Sequence, residues 1–166
     1  AFKLAEAERP GAVHLELPED IAVENSEVLP IVPIKVRRSG PDPKAIAQAV
    51  DLIGKAKSPI LLIAAGANRK LIRKNLQTLI DKTQIPFVTT QMGKGVIDET
   101  TDLYLGTTAL SAGDYVHCAL EQSDCVIVIG HDIMEKPPVV LVSQERVVIH
   151  INFNEAEVDD MYIPTL

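Results

Sequence analysis

Two spacings of apolar residues alternate along the chain and predict alternating helices and strands. In three segments, 43–56, 70–82 and 115–120, apolar side chains recur every three or four residues, which is the spacing of one helix face. Four short runs, 58–66, 86–89, 124–132 and 146–154, are rich in apolar residues. Strands that are apolar on both faces and are separated by helices predict a parallel sheet covered on both sides. The expected fold class is therefore α/β, doubly wound and Rossmann-like.

The first 43 residues follow a different pattern. A short helical segment without a capping residue breaks at Arg9-Pro10-Gly11, and a strand is expected over residues 12–17. Residues 18–43 contain five prolines among polar residues, which is typical of an extended linker. We therefore expect residues 1–22 to be the tail of an upstream domain, residues 23–43 to be a linker, and residues 44–166 to form the main domain.

Composition and charge argue against several classes of partner. The chain has 166 residues, of which 46% are hydrophobic, enough for one ordinary core. A net charge of −7 argues against nucleic-acid binding, and no apolar run approaches the roughly 20 residues of a membrane helix. The N-terminus lacks a signal-peptide pattern, so a cytoplasmic location is expected. Cys118 and Cys125 lack metal-ligand spacing and are interpreted as reduced core thiols.

Loops that follow strands supply the candidate binding residues. Ligands of doubly wound sheets lie beyond the carboxyl ends of the strands, where loops expose backbone N–H groups. The candidate cofactor-binding residues in these loops are Gly66, Thr89, Thr90, Met92, Gly93, Gly130, His131, Asp132, Asn152 and Asn154. A helix-capping role for Asp132 is an equal alternative. Lys94 lies between Gly93 and Gly95, but the motif is not a P-loop, and a solvent-facing turn is the preferred interpretation.

Five longer segments of the sequence follow one another in an order that is typical of one enzyme family. They are AFKLAEAERPGAVHLELPEDI, SPILLIAAGA, IPFVTTQMGKGVIDE, LYLGTTALSAGDYVHCALEQSDCVIVIG and VVIHINFNEAEV. In this order the chain resembles thiamine-diphosphate-dependent enzymes of the acetolactate synthase type. The resemblance implies that residues 1–22 end a pyrimidine-binding domain and that residues 44–166 are the central domain, truncated before its last strand.

The resemblance also implies where catalysis takes place. In that family the thiamine-activating glutamate lies upstream of this segment, and the metal-binding Gly-Asp-Gly motif lies downstream. Thiamine diphosphate and Mg²⁺ would therefore bind to flanking domains of a full-length parent, which is expected to be a homo-oligomer. We expect no catalytic residue and no metal ligand in this chain, and no catalysis by the chain alone. The parent would decarboxylate a 2-keto acid such as pyruvate and transfer the two-carbon unit to a second keto acid, in branched-chain amino acid biosynthesis.

The chain has only some of the residues that contact the flavin in this family. Central domains of acetolactate synthases typically bind FAD, and Thr90 with Met92-Gly93 keeps the family's Thr-x-Met-Gly loop. Other positions differ from the family. Ala64-Ala65-Gly66 stands where the family has three glycines, and Leu110-Ser111-Ala112 where it has Met-His-Gly. Asp132 replaces an arginine that contacts the flavin, and Asn152 and Asn154 replace acidic residues. FAD binding therefore ranks below an unoccupied or differently occupied crevice. Glu135 is interpreted as the start of a short helix, with no chemical role.

Two other functions stay open from the sequence. One is a stand-alone nucleotide-binding or sensing module that uses the same fold without thiamine chemistry. The other is the central domain of a related thiamine-dependent decarboxylase, because the departures at the flavin positions leave the reaction open.

Overall fold

A computed structural model of the chain describes residues 1–7, 10–32, 40–108, 115–132, 135, 146–157 and 162–166. The chain divides into two units, Ala1–Pro41 and Asp42–Leu166. The first unit contains two short helices, α1 (Phe2–Glu6) and α2 (Glu19–Ala22). The strand expected over residues 12–17 is not formed, so that prediction is wrong. A strand is stable when a neighbouring strand pairs with its backbone, and the described residues of this unit contain no such neighbour.

The second unit carries the sheet and three helices. Its elements are α3 (Pro43–Lys55), β1 (Pro59–Ile63), α4 (Lys70–Thr83), β2 (Phe87–Thr89), β3 (Tyr104–Thr107), α5 (Tyr115–Gln122), β4 (Cys125–Ile129) and β5 (Val147–Ile151). The five strands are all parallel and lie in the order β3-β2-β1-β4-β5. This architecture confirms the predicted α/β fold.

The sheet is covered on both faces, as a doubly wound fold requires. Alternate residues of a strand point to opposite faces, so Leu61 and Ile63 of β1 enter one core and Ile60 and Leu62 enter the other. On the first face the sheet packs against apolar residues of α3 and α4, among them Leu52, Ile53, Leu76 and Ile80. On the second face it packs against Val116 and Leu120 of α5. All members of both cores lie beyond residue 42 in the chain.

Strand β3 was not predicted. It is short, its residues are only half-buried, and it contains Gly106, which weakens the apolar run that would have indicated a strand. Strand β3 lies at the edge of the sheet, next to β2. Because an edge strand is covered less than a central one, a less apolar sequence is enough to form it. The other four strands are apolar at nearly every position, which is the pattern from which the sheet was predicted.

Local hydrogen bonds fix where the elements begin. The Asp42 carboxylate accepts a hydrogen bond from the backbone N–H of Lys44 at 3.0 Å and caps α3, whose first residue is Pro43. At the amino ends of the strands, the Asp124 carboxylate accepts from the backbone N–H groups of Lys57 at 2.7 Å and Ser58 at 2.9 Å. These bonds lower the pKa of Asp124 and join the chain before β1 to the chain before β4.

Residues 162–166 lie along the outer edge of β5. The backbone N–H of Thr165 donates to the carbonyl of Val148 at 2.7 Å, and that of His150 donates to the carbonyl of Leu166 at 2.7 Å. The pairing of the sheet therefore continues past β5. Within the described ranges, no helix is long and apolar enough to cross a membrane.

Candidate functional site

The carboxyl ends of the five strands form one row. In the sheet register, Ile63 at the end of β1 pairs with Thr89 of β2 on one side and Ile129 of β4 on the other. Thr107 of β3 lies beside Thr89, and Ile151 of β5 lies beside Ile129. The loops that follow β1, β2, β4 and β5 thus begin at one rim, as the sequence predicts. The chain winds to opposite sides of β1, so the crevice between β1 and β4 is where ligands of such sheets usually bind.

The loops after β1 and β4 touch through their glycines. The backbone N–H of Gly66 donates to the carbonyl of Gly130 at 2.8 Å. A Cβ atom on Gly66 would lie 2.7 Å from that carbonyl oxygen, and one on Gly130 would lie 2.3 Å from the backbone nitrogen of Ala67. Gly130 also has a φ of +72°, which side-chain-bearing residues rarely adopt. The two glycines therefore let one loop pack directly on the other.

The loop after β2 is a tight turn that packs against the end of β1. The backbone N–H of Gly93 donates to the hydroxyl of Thr90 at 3.0 Å, and a Cβ on Gly93 would lie 2.2 Å from the carbonyl oxygen of Ile63. Lys94 forms an ion pair with Glu99 at 2.9 Å, and its side chain is mostly exposed. The preferred interpretation of Lys94, a solvent-facing turn, agrees with this geometry. Met92 is also exposed.

Glu135 connects three of these strand ends. It is only 4% exposed, and its carboxylate accepts hydrogen bonds from the backbone N–H of Ala65, at 3.1 Å, and from the hydroxyl of Thr90. Its own backbone N–H donates to the carbonyl of Asp132 at 2.8 Å, in the loop that follows β4. Burial raises the pKa of this carboxyl above its ordinary value. Glu135 therefore lies where the loops after β1, β2 and β4 meet. That it has no chemical role stays a prediction, and the short helix expected to start there extends into residues outside those described.

The backbone donors at the rim are already used within the protein. The N–H groups at six positions of the loops donate to protein acceptors: Ala64 to Ile129, Ala65 to Glu135, Gly66 to Gly130, Thr90 to Ile63, Gly93 to Thr90, and Gly130 to Ile151. A phosphate site built from backbone donors needs such groups to point at the ligand. Any anion that used these six groups would have to replace an existing hydrogen bond.

Thr89 has a structural environment. It is fully buried, and its hydroxyl lies 3.3 Å from the hydroxyl of Tyr104 and 3.3 Å from that of Thr107. The Tyr104 and Thr107 hydroxyls are themselves 2.7 Å apart. This group of three hydroxyls joins β2 to β3. A direct ligand contact by Thr89 stays a prediction.

A second group of side chains surrounds Tyr162. Its hydroxyl lies 2.7 Å from Nδ1 of His150, and its ring centroid lies 5.2 Å from that of His131. Burial lowers the pKa of His150 and raises that of Tyr162, so both side chains favour their neutral forms. The side-chain amide of Asn152 donates to the carbonyl of His131 at 2.7 Å, and Asn154 is exposed. These contacts hold the end of the chain against β5.

The structure therefore brings six of the ten candidate residues together in three pairs. Gly66 contacts Gly130, Thr90 contacts Gly93, and Asn152 contacts His131, whereas Met92 and Asn154 are exposed. That any of the ten candidate residues contacts a ligand stays a prediction. The segment Leu110-Ser111-Ala112 lies outside the described residues.

The described part of the chain has no set of side chains suited to a metal. None of its groups of three or more His, Cys, Asp or Glu residues is arranged to hold an ion. Both cysteines are free thiols, and Cys125 is buried as expected, whereas Cys118 is exposed on α5, so its interpretation as a core thiol is wrong.

Known proteins with similar sequences give the chain a family. Residues 46–166 match the sequence profile described as "Thiamine pyrophosphate enzyme, central domain". The chain is 34% identical over 78% of its length to the acetolactate synthase large subunit of Parasynechococcus marenigrum, and 30% identical over its full length to the acetolactate synthase of Bacillus subtilis. It is also 32% identical, over 95% of its length, to the acetolactate synthase large subunit of Corynebacterium glutamicum.

These relatives are much longer than the chain. The matched regions cover 22% of the first relative, 30% of the second and 26% of the third. The profile match covers α3 from Ile46 onwards, all five strands and residues 162–166, and it therefore includes the rim described above. The chain belongs to the thiamine pyrophosphate enzyme family, and residues 46–166 are its central domain.

Proposed function

We propose that this chain is the central domain of an acetolactate-synthase-like enzyme. The parent enzyme decarboxylates a 2-keto acid such as pyruvate on thiamine diphosphate and transfers the two-carbon unit to a second keto acid. The observation that carries this proposal is the similarity to proteins named acetolactate synthase, 30% identical or more over three quarters of the chain or more. The product would serve branched-chain amino acid biosynthesis.

Within that enzyme we assign this domain a structural role. Its rim donors are engaged with protein acceptors, and its described residues offer no metal-binding group. Thiamine diphosphate and Mg²⁺ would be held by flanking domains, which would supply the catalytic residues. Residues 1–22 would end the preceding pyrimidine-binding domain, and residues 23–43 would link it to the central domain.

The same proposal includes the partners of this domain and the location of the enzyme in the cell. The exposed apolar side chains of α3 and α4, such as Val50 and Leu71, offer surface for flanking domains or for a second subunit of a homo-oligomer. The two free cysteines are consistent with the reducing cytoplasm, where we place the enzyme. A related thiamine-dependent decarboxylase stays the alternative, and it would release an aldehyde instead of acetolactate.

The test is pyruvate turnover by the full parent polypeptide. We expect acetolactate to form when thiamine diphosphate and Mg²⁺ are present, and to disappear when thiamine diphosphate alone is omitted. Adding or omitting FAD should leave the rate unchanged. The 166-residue chain by itself should consume no pyruvate, because the proposed catalytic groups lie elsewhere.

Two results would count against the proposal. Absence of pyruvate turnover with every cofactor combination would withdraw the acetolactate assignment. Turnover to acetaldehyde in place of acetolactate would favour the related decarboxylase.

A further inference from the structure

The rim of this sheet has the form of an anion site, but the protein supplies the anion. In doubly wound sheets, a phosphate accepts hydrogen bonds from backbone N–H groups and hydroxyls at the carboxyl ends of the strands. Here the corresponding donors are the N–H of Ala65, after β1, and the hydroxyl of Thr90, after β2. Both donate to one carboxylate, that of Glu135. A glutamate side chain therefore occupies the position that a phosphate group would need.

Glu135 is built into this position. It is only 4% exposed, and its two oxygens reach two different strand ends while its backbone is tied to Asp132, after β4. The carboxylate thus contacts the loops after β1 and β2, and the backbone of the same residue contacts the loop after β4. A phosphate that entered would meet a negative charge, and it would have to displace a side chain that joins the loops after β1 and β2.

Two further N–H groups at the described strand ends are also used within the protein. Those of Gly66 and Gly130 donate to protein carbonyls, and the two glycines are already in contact with each other. Because Gly66 and Gly130 have no Cβ atom, the loop after β1 can pack directly on the loop after β4. In a dinucleotide site, the same absence would leave room for a diphosphate.

We propose that Glu135 is a specificity-determining residue that closes the crevice of this domain to phosphorylated ligands, including the diphosphate of FAD and of other dinucleotides. The family's flavin therefore does not fit this rim. The inference concerns binding alone and does not depend on the reaction that the parent enzyme catalyses. An active acetolactate synthase and an enzyme of another kind could both carry a crevice closed in this way.

The experiment compares the binding of pyrophosphate and of ADP to the full chain and to two variants. In Glu135→Gln the negative charge is removed and the size is kept; in Glu135→Ala the side chain that engages Ala65 and Thr90 is removed as well. Glu99→Gln is the matched control, since Glu99 also accepts a hydrogen bond from a loop N–H, that of Gly95 at 2.6 Å, but not at the strand ends. Equilibrium dialysis measures binding, and circular dichroism verifies that each variant is folded.

We expect no saturable binding of either ligand to the wild-type chain or to Glu99→Gln at millimolar concentration. Affinity should increase at least about tenfold in Glu135→Gln and further in Glu135→Ala, because charge repulsion is removed first and the donors are released next. Saturable binding of ADP to the wild-type chain would overturn the proposal. So would a Glu135→Gln variant that binds no better than wild type, whether or not Glu135→Ala folds. Neither result would bear on pyruvate turnover.

Discussion

At the scale of single residues, the buried charge of Glu135 makes stability depend on pH. Burial raises the pKa of this carboxyl in the folded chain above its value in the unfolded chain, so the folded state binds the proton more tightly. The ionised form is therefore a cost to folding, present in full above the folded pKa and relieved as pH falls towards the unfolded value. We expect the wild-type chain to gain stability relative to Glu135→Gln as pH is lowered from 7.5 to about 5.

Urea unfolding at a series of pH values measures this difference. Glu121→Gln is the control, because Glu121 is exposed on α5, and its difference from wild type should stay nearly constant over the same range. If the curves of wild type and Glu135→Gln ran parallel instead, burial of an ionised carboxylate in the folded state would be contradicted.

The residues of the rim could be predicted in part. Glycines and threonines after apolar strands mark where loops turn, so Gly66, Gly93 and Gly130 could be placed at the strand ends from the sequence. What they contact could not, because a glycine that admits a ligand and a glycine that admits another loop have the same sequence signal. Glu135 was missed because it lies five residues beyond Gly130, at a position where an acidic residue usually faces solvent.

At the scale of elements, the contact between the loops after β1 and β4 should tolerate no added atom. Gly130→Ala would place a methyl group 2.3 Å from the backbone nitrogen of Ala67 and would force a φ of +72° on alanine. We expect a loss of at least ~3 kcal/mol in the free energy of unfolding. Chemical denaturation with urea measures this loss.

Gly54→Ala is the matched control for that substitution. Gly54 lies in α3, and a Cβ there would meet no atom within 4 Å. Because alanine favours the helix, this variant should gain about 0.5–1 kcal/mol. If the two variants had similar stabilities, the proposed loop contact would be wrong.

The predictability of each element depended on how much of it is buried. Strands β1 and β4, which lie inside the sheet and are apolar on both faces, were located with errors of a few residues at their ends. Strand β3 at the edge is half-buried and was missed, while residues 12–17 have no partner strand in the described part of the chain and do not form the expected strand. In each case, the neighbours in the sheet determined whether an extended segment became a strand.

At the scale of the whole molecule, both cores belong to the unit that begins at Asp42. The first unit exposes large apolar side chains, including Phe2 at 89%, Ile31 at 88% and Leu29 at 84%. We therefore expect a polypeptide that starts at Asp42 to unfold at the same urea concentration as the full chain and to self-associate less. Circular dichroism and sedimentation velocity measure the two properties.

A large loss of stability after removal of residues 1–41 would contradict this expectation. Equal self-association of the two polypeptides would show that the contacts arise from the second unit. In that case, the exposed residues of α3 and α4 would be the next to substitute, with Val50→Lys and Leu71→Lys as the first variants.

The order of strands in the sheet has a consequence for synthesis on the ribosome. Strand β1 emerges first and ends up in the centre of the sheet, between β2 and β4. When β2 emerges, β1 is already available, and each later strand likewise finds its neighbour made before it: β2 for β3, β1 for β4 and β4 for β5. The sheet can therefore grow outwards from β1 while translation continues, and each of the four strands that follow β1 finds a neighbour that the ribosome has already made.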